Sequence, residues 1–257
     1  MTRSGWGALV LAVLAVGRPG MGQRHPPRRQ PTPPAPPFPI GERLVYEALY
    51  GPIKLGRAEM KVVGIDTVRS HPAIHVMFSL EGGSFIYPIR NRMDSWIALS
   101  DTTSRRFTQD FDERGKQRHT YYDIVPDSGY YRQKGVDSLL PTVKQPLDDA
   151  AFFYFVRTTS IEAGKKYEFP RYFRPDRNPV ILDVKSRDTL DVPAGRFPSL
   201  LVQPVIKGRG ILAEASNARM WLSDDDRRIM VQLKSKFPFG YITLRLIRIE
   251  TADSTKR

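Results

Sequence analysis

Three consecutive aspartates, Asp224, Asp225 and Asp226, follow Trp221 in the stretch ARMWLSDDDRRIMVQLKSKFPFGYITLRL. Adjacent carboxylates are raw material for a cation site or for acid–base chemistry. A calcium loop also needs oxygen ligands at spaced positions and a glycine for its sharp turn, and the residues next to the aspartates offer neither. A catalytic carboxylate pair must converge across a cleft in environments that separate the two pKa values. Three neighbours on one turn do not. Met220 and Leu222 alternate before the aspartates and Ile229, Val231 and Leu233 after them. A second reversal at Phe237–Gly240 leads to Ile242, Leu244 and Leu246. The pattern predicts a three-stranded meander with the aspartates at its first corner, where Asp side chains bond to nearby backbone amides.

Histidine is present at 25, 71, 75 and 119. His71 and His75 would converge on a helix, but Pro72 and the alternation after it predict a strand. There, four residues span about 13 Å, too far to share a metal directly. No metal site and no cofactor are expected. The chain carries no GxSxG, HExxH, P-loop or GxGxxG pattern, so no catalytic residue is assigned. A hydrolase site formed only by folding, around His119 or Asp123, stays open as an alternative. The polar segment with the most chemical promise is KKYEFPRYFRPDRNP, in which Arg171, Arg174 and Arg177 recur every third residue around Tyr172 and Phe173. Guanidinium forks bind phosphate or carboxylate bidentately, and Tyr172 could stack on a sugar or acyl ligand. Arg171, Tyr172, Arg174 and Arg177 are the candidate ligand-binding residues. The alternative is a solvated loop whose aromatics cover the core. Lys234, Lys236 and Arg245 could extend a basic face, or merely occupy the outward positions of strands.

These residues must be held by strands. Leu44, Tyr46 and Ala48 share one face, as do Ile74, Val76, Phe78 and Leu80; Val180, Leu182 and Val184; and Leu200, Val202 and Ile206. Period-two alternation of this kind marks half-buried strands. Turn signals at 113–116, 126–129 and 193–196 separate them. One segment differs. In PLDDAAFFYFVRTTSIEAGKK, Asp148 or Asp149 can cap a helix and Gly164 can end it. Its aromatic residues run around most of the circumference, which predicts a helix packed against the sheet. The fold class expected is mainly β: a curved antiparallel sheet, open barrel or half-barrel with one packed helix.

Composition sets the surroundings. The chain has 257 residues, 40% hydrophobic and 26% charged, within the ordinary globular range. Residues 1–22 carry Arg3, an apolar run from Trp6 to Val16, and small residues at Gly20 and Gly22, the pattern of a secretory signal peptide. The run is too short to cross the roughly 30 Å hydrocarbon core as a helix, so no membrane span is expected after cleavage. Residues 23–40 are dense in proline, which predicts a disordered, polyproline II-like tether. A single antiparallel β domain is expected over 41–257. Cysteine is absent, which excludes disulfides, thiolate metal sites and lipidation at an N-terminal cysteine. The formal net charge is +13, and the five arginines before residue 41 leave +8 for the domain. Behind a signal peptide, the anionic partners within reach are lipid headgroups and acidic envelope polymers rather than nucleic acid.

Several segments together resemble a family of exported bacterial proteins, domain of unknown function 3108. They are GERLVYEALYGPIKLGRAEM, LDDAAFFYFVRTTSIEAGKKYEF, DVPAGRFPSLLVQPVI and the aspartate stretch above, in consistent order from Gly41 to Glu250. The resemblance implies a glycine–glutamate start, an acid-led aromatic helix ending near Arg157, and a structural hairpin at the aspartates. It implies an envelope protein with a curved sheet or open barrel, and supplies no catalytic residues. The function expected is a non-catalytic module, periplasmic or secreted, that binds an envelope lipid or acidic glycan in the sheet's concave side. The alternatives are an assembly partner for another envelope protein and the hydrolase already named.

Overall fold

The computed structural model describes residues 35–84, 87–113, 116–208, 211–237 and 240–252. The expected signal peptide and most of the tether lie outside the described residues. Eight strands come first: β1 (Arg43–Tyr50), β2 (Ile53–Val68), β3 (His71–Ser84), β4 (Tyr87–Ala98), β5 (Ser104–Glu113), β6 (Lys116–Val125), β7 (Tyr130–Gln133) and β8 (Leu139–Pro141). A helix, α1 (Asp149–Thr158), interrupts them. Then follow β9 (Lys166–Phe169), β10 (Val180–Val192), β11 (Gly195–Val205), β12 (Arg219–Ser223), β13 (Met230–Phe237) and β14 (Gly240–Glu250). All pair antiparallel in one sheet of order β8-β7-β6-β5-β4-β3-β2-β1-β14-β13-β12-β11-β10-β9. The fold is mainly β with one helix, and the sheet is open between β8 and β9. The seam between the first and last strands lies mid-sheet, where Leu44 faces Ile249 and Ala48 faces Leu244.

Alternation decides which face is covered. Leu44, Tyr46 and Ala48, then Ile74, Val76 and Phe78, and Val180, Leu182 and Val184 are all buried in one core. The sheet curls so that distant strands contribute to that core together with α1. Where β2 and β3 pass each other, Gly56 faces Gly82, and a Cβ on either would overlap the facing backbone. Paired glycines of this kind permit a close, bent crossing. Bulges adjust the registers elsewhere. One opposite Trp221 and Leu222 leaves both Met230 and Val231 buried on β13. No helix among the described residues is long and apolar enough to cross a membrane.

Helix α1 occupies the concave side. Phe152, Phe153, Tyr154 and Val156 are buried there. Phe153 stacks on Phe78 with ring centroids 5.0 Å apart, and the Tyr154 hydroxyl donates to the Met77 carbonyl at 3.3 Å. The helix therefore packs into the core formed by the sheet, and an open groove lies at its C-terminal end. It also stops sooner than Gly164 suggests. The Thr158 and Thr159 hydroxyls each donate to the Phe155 carbonyl at 2.9 Å, and Thr159 is already extended. Those bonds satisfy a terminal carbonyl and offer the chain an exit from the helix. Gly164 instead occupies the turn into β9, at φ +82°.

Candidate functional site

The N-terminal end of α1 is closed. Asp148 is the N-cap: its Oδ1 accepts from the Ala150 and Ala151 amides at 2.9 and 2.8 Å. Ser95 Oγ donates to the other oxygen at 2.6 Å, and the Asp148 amide donates to Ser104 Oγ at 3.1 Å. Burial pushes the Asp148 carboxyl up to about 7 against the opposing pull of these donors. Asp149 is also raised by burial. It accepts from the Tyr172 hydroxyl at 3.0 Å and from Gln109 Nε2 at 3.4 Å.

This network takes in the arginine-rich segment, and it separates the four candidate residues. Tyr172 is buried, with its hydroxyl spent on Asp149 and its backbone held on both sides by Asn178. Arg177 donates to the same hydroxyl at 3.0 Å and lies over the Tyr172 ring. Arg174 is half-buried and its Nε has no hydrogen-bond partner. Arg171 points elsewhere: it donates to the carbonyls of Gln145 and Thr102, each at 2.9 Å, and covers Phe155. Tyr172 and Arg177 are thus brought together, and Arg171 is not part of their cluster.

The other end of α1 is open. Arg157 grips Glu42 bidentately at 2.6 and 3.0 Å and donates from Nε to the Arg227 carbonyl at 3.2 Å. Only 2% of the Arg157 side chain and 6% of the Glu42 side chain are exposed. The Phe38 ring sits 4.5 Å from the guanidinium and 5.3 Å from the Tyr154 ring, edge-on to the latter. Above this floor runs a groove of about 630 Å³, bounded by Glu42, Arg157, Ser160, Asp225, Arg228 and Ile249. That volume is in the range of small-ligand sites.

The three aspartates form both the corner between β12 and β13 and one wall of the groove. Asp225 Oδ1 accepts from Ser223 Oγ at 2.6 Å and from the Arg227 and Arg228 amides at 3.2 and 3.1 Å. Burial opposes its ionisation, but the Ser223 and Arg227 bonds win and hold its carboxyl below the usual range. Asp224 pairs with Arg187 at 2.9 Å. The corner places Arg228 at φ +43°, an unusual conformation for a long side chain. The buried Nη1 of Arg228 has no hydrogen-bond partner. Glu42, Asp224 and Asp225 are committed to Arg157, Arg187 and Arg227, while Arg228 Nη1 keeps unused hydrogen-bonding capacity and Asp226 lines the same groove. Sequence reasoning missed this groove because its walls come from residues 37–42, 157–160 and 224–228. The resemblance had named Glu42, Arg157 and the aspartate hairpin as separate landmarks.

The histidines stand apart. His71 lies 3.6 Å from Asp127, and His75 Nε2 lies 2.7 Å from Asp94 while its ring stacks on Trp96 at 4.3 Å. His119 pairs with Asp110 on an exposed part of β5–β6, and Asp123 pairs with Arg69. No serine or threonine hydroxyl among the described residues bonds to His119. No group of three or more candidate metal ligands is present among the described residues.

Comparison with known proteins agrees with this architecture. A β-barrel-like protein of domain of unknown function DUF1849 from Brucella abortus superposes with a TM-score of 0.53 at 9% identity. The match covers 82% of this chain and 97% of that one. The hypothetical protein CT021 from Chlamydia trachomatis matches at a TM-score of 0.37 and 11% identity, over 82% and 87% of the two chains. The first of these likenesses supports the fold alone. Among curated proteins none matches the chain. The family profile described as "Protein of unknown function (DUF3108)" matches residues 45–247, from within β1 to within β14. With that span, the chain belongs to the DUF3108 family.

Proposed function

We propose that this chain is an exported, non-catalytic module of the bacterial cell envelope that binds an anionic group in the groove at the C-terminal end of α1. The carrying observation is the partnerless guanidinium nitrogen of Arg228, on a residue lining a groove of about 630 Å³ in which Glu42, Asp224 and Asp225 are already paired with other arginines. A buried donor without an acceptor is destabilising by roughly 1–3 kcal/mol, and a ligand oxygen would remove that deficit. Phosphate and carboxylate both suit a guanidinium. They occur in lipid headgroups and in acidic envelope polymers, the two sources expected from the basic charge and the signal-like N-terminus. Docking through sheet edges fits less well, because β8 and β9 have three and four residues and the second begins with Lys166 directly after Lys165, a pattern that discourages strand addition.

The test is co-sedimentation of the full chain with phosphatidylglycerol vesicles, with phosphatidylcholine vesicles, and with a soluble poly(glycerol phosphate) competitor. Binding to an anionic arm should weaken as salt rises and fall about tenfold in Arg228→Gln, the size expected for a lost charge-assisted hydrogen bond. Competition by the polymer identifies a polymer source, and vesicle binding without competition identifies a lipid source. Equal binding by wild type and Arg228→Gln would sink the reading.

A further inference from the structure

The groove lies at one end of the sheet, and the opposite end carries a different surface. Strands β2, β1, β14 and β13 are successive neighbours. Their far ends close in two turns, where Tyr50 pairs with Ile53 and Phe237 with Gly240. The turns touch. Tyr50 pairs with Ile242 across the seam, and a Cβ on Gly240 would lie 2.7 Å from the Tyr50 ring. Tyr50, Ile53 and Tyr241 are 39%, 58% and 38% exposed. Eight large hydrophobic side chains are exposed among the described residues, and these three gather on the two turns. The 11 residues of β14, at about 3.3 Å each, put them roughly 30 Å from the groove.

The same turns are basic and free of acids. Residues 48–58 and 227–249 contain no aspartate or glutamate. Lys54 and Lys236 are exposed and have no ion-pair partner among the described residues. The Lys234 ammonium lies 4.9 Å from the centre of the Tyr241 ring. Glu81 on β3 stands between Arg57 and Arg90 on the adjoining strands, so its charge is offset. Lysine on an edge strand guards against strand addition, but β2, β13 and β14 are paired on both sides, and these lysines guard no edge.

We propose that the two turns form a membrane-docking tip: Tyr50, Ile53 and Tyr241 enter the headgroup region of an anionic bilayer, and Lys54 and Lys236 contact its headgroups. Tyrosine is favoured at the membrane–water boundary, where the ring meets apolar and the hydroxyl polar surroundings. Lysines beside inserted apolar side chains add attraction to an anionic leaflet. A second protein fits worse. Three partly exposed side chains fall well short of the roughly 800 Å² per partner that a stable protein interface buries. A fluid bilayer demands neither that area nor a matching shape. This goes beyond the anion-binding reading and does not depend on it.

The chain has no cysteine, so single sites can be labelled without background. Ile53→Cys, Tyr241→Cys and, beyond β6 at the opposite end of the sheet, Ser128→Cys each carry the environment-sensitive fluorophore NBD in the full chain. With phosphatidylglycerol vesicles, the labels at 53 and 241 should brighten, shift to the blue and be quenched by brominated lipid, while the label at 128 stays silent. The apparent affinity read at 53 should fall as salt rises, and about fivefold in each of Lys54→Gln and Lys236→Gln. Thermal unfolding confirms that each labelled chain is folded, and if the label at 53 prevents folding the one at 241 decides alone. Silence at both positions overturns the proposal, as does an equal response at 128. A response at 53 that grows with protein concentration without vesicles identifies contact between copies and also overturns it. Each of these failures leaves the groove reading standing, because that reading is measured at Arg228 and not at the turns.

Discussion

At its N-terminal end, α1 buries Asp148 and Asp149 among donors from Ser95, Gln109, Tyr172 and its own first turn. At its C-terminal end it buries Arg157 against Glu42, beside a groove and a guanidinium nitrogen that nothing satisfies. Both ends place charge in a low-dielectric setting and each has a guanidinium nitrogen without a partner, Arg174 Nε and Arg228 Nη1, but the groove of about 630 Å³ lies at the C-terminal end. Buried polar groups with every partner in place rigidify a fold. A partner missing beside open volume is where a ligand can act. The arginine-rich segment, which carries the more conspicuous sequence signal, belongs largely to the closed end. The aspartate corner, which looks structural, also walls the open one.

The sharpest way to break this contrast is at Arg157. Arg157→Ala leaves Glu42 buried without its partner and should destabilise the protein by about 3–5 kcal/mol. Chemical denaturation of the single variant and of the Glu42→Ala, Arg157→Ala double variant measures it. The double variant should recover part of that loss, and full additivity would show that the two side chains are not coupled.

A second experiment addresses the closed end through pH. The Asp148 carboxyl is raised by burial to about 7 in the folded state, against about 3.9 for an unperturbed aspartate. Between those values the folded chain holds a proton that the unfolded chain has released. Asp148 therefore makes stability fall as pH rises from about 4 to 7, with the penalty complete above 7. The amount is on the order of a few kcal/mol at about 1.4 kcal/mol per unit. Asp148→Asn keeps an N-cap acceptor and should flatten that part of the stability profile. An unchanged slope would show that Asp148 is not the group responsible.

The smallest effect separates two neighbours on the corner. Asp225→Ala removes the acceptor of Ser223 and of two backbone amides and should destabilise by about 1 kcal/mol. Asp226→Ala should fall within about 0.5 kcal/mol of wild type, as exposed substitutions usually do. Differential scanning calorimetry of the pair would show whether the corner is held by one aspartate or by the cluster.

Much of the framework was legible because the physics is local. Leu44, Tyr46 and Ala48 alternate at strand period, and Asp148 stands where a helix cap belongs. The end of α1 was misjudged because the deciding interactions, Thr158 and Thr159 bonding back to Phe155, compete with a glycine signal six residues on. The site was the hardest part to see. Glu42 and Arg157 are 115 residues apart, and no spacing rule joins two positions that meet only after a sheet has curled around a helix. The arginines at 171, 174 and 177 show the converse. Regular spacing on an irregular loop sent their side chains to different partners.

The pairing of β1 with β14 has a consequence for how the molecule comes into being. As the chain is synthesised, β1 to β8 can zip into consecutive hairpins, but β1 keeps one bare edge until β14 emerges. Closing that seam joins partners up to 207 positions apart, an entropically late step that slows folding. The sheet has no complete half that could mature alone, so a chain cut short anywhere before β14 would present an unpaired central strand, a ready template for aggregation.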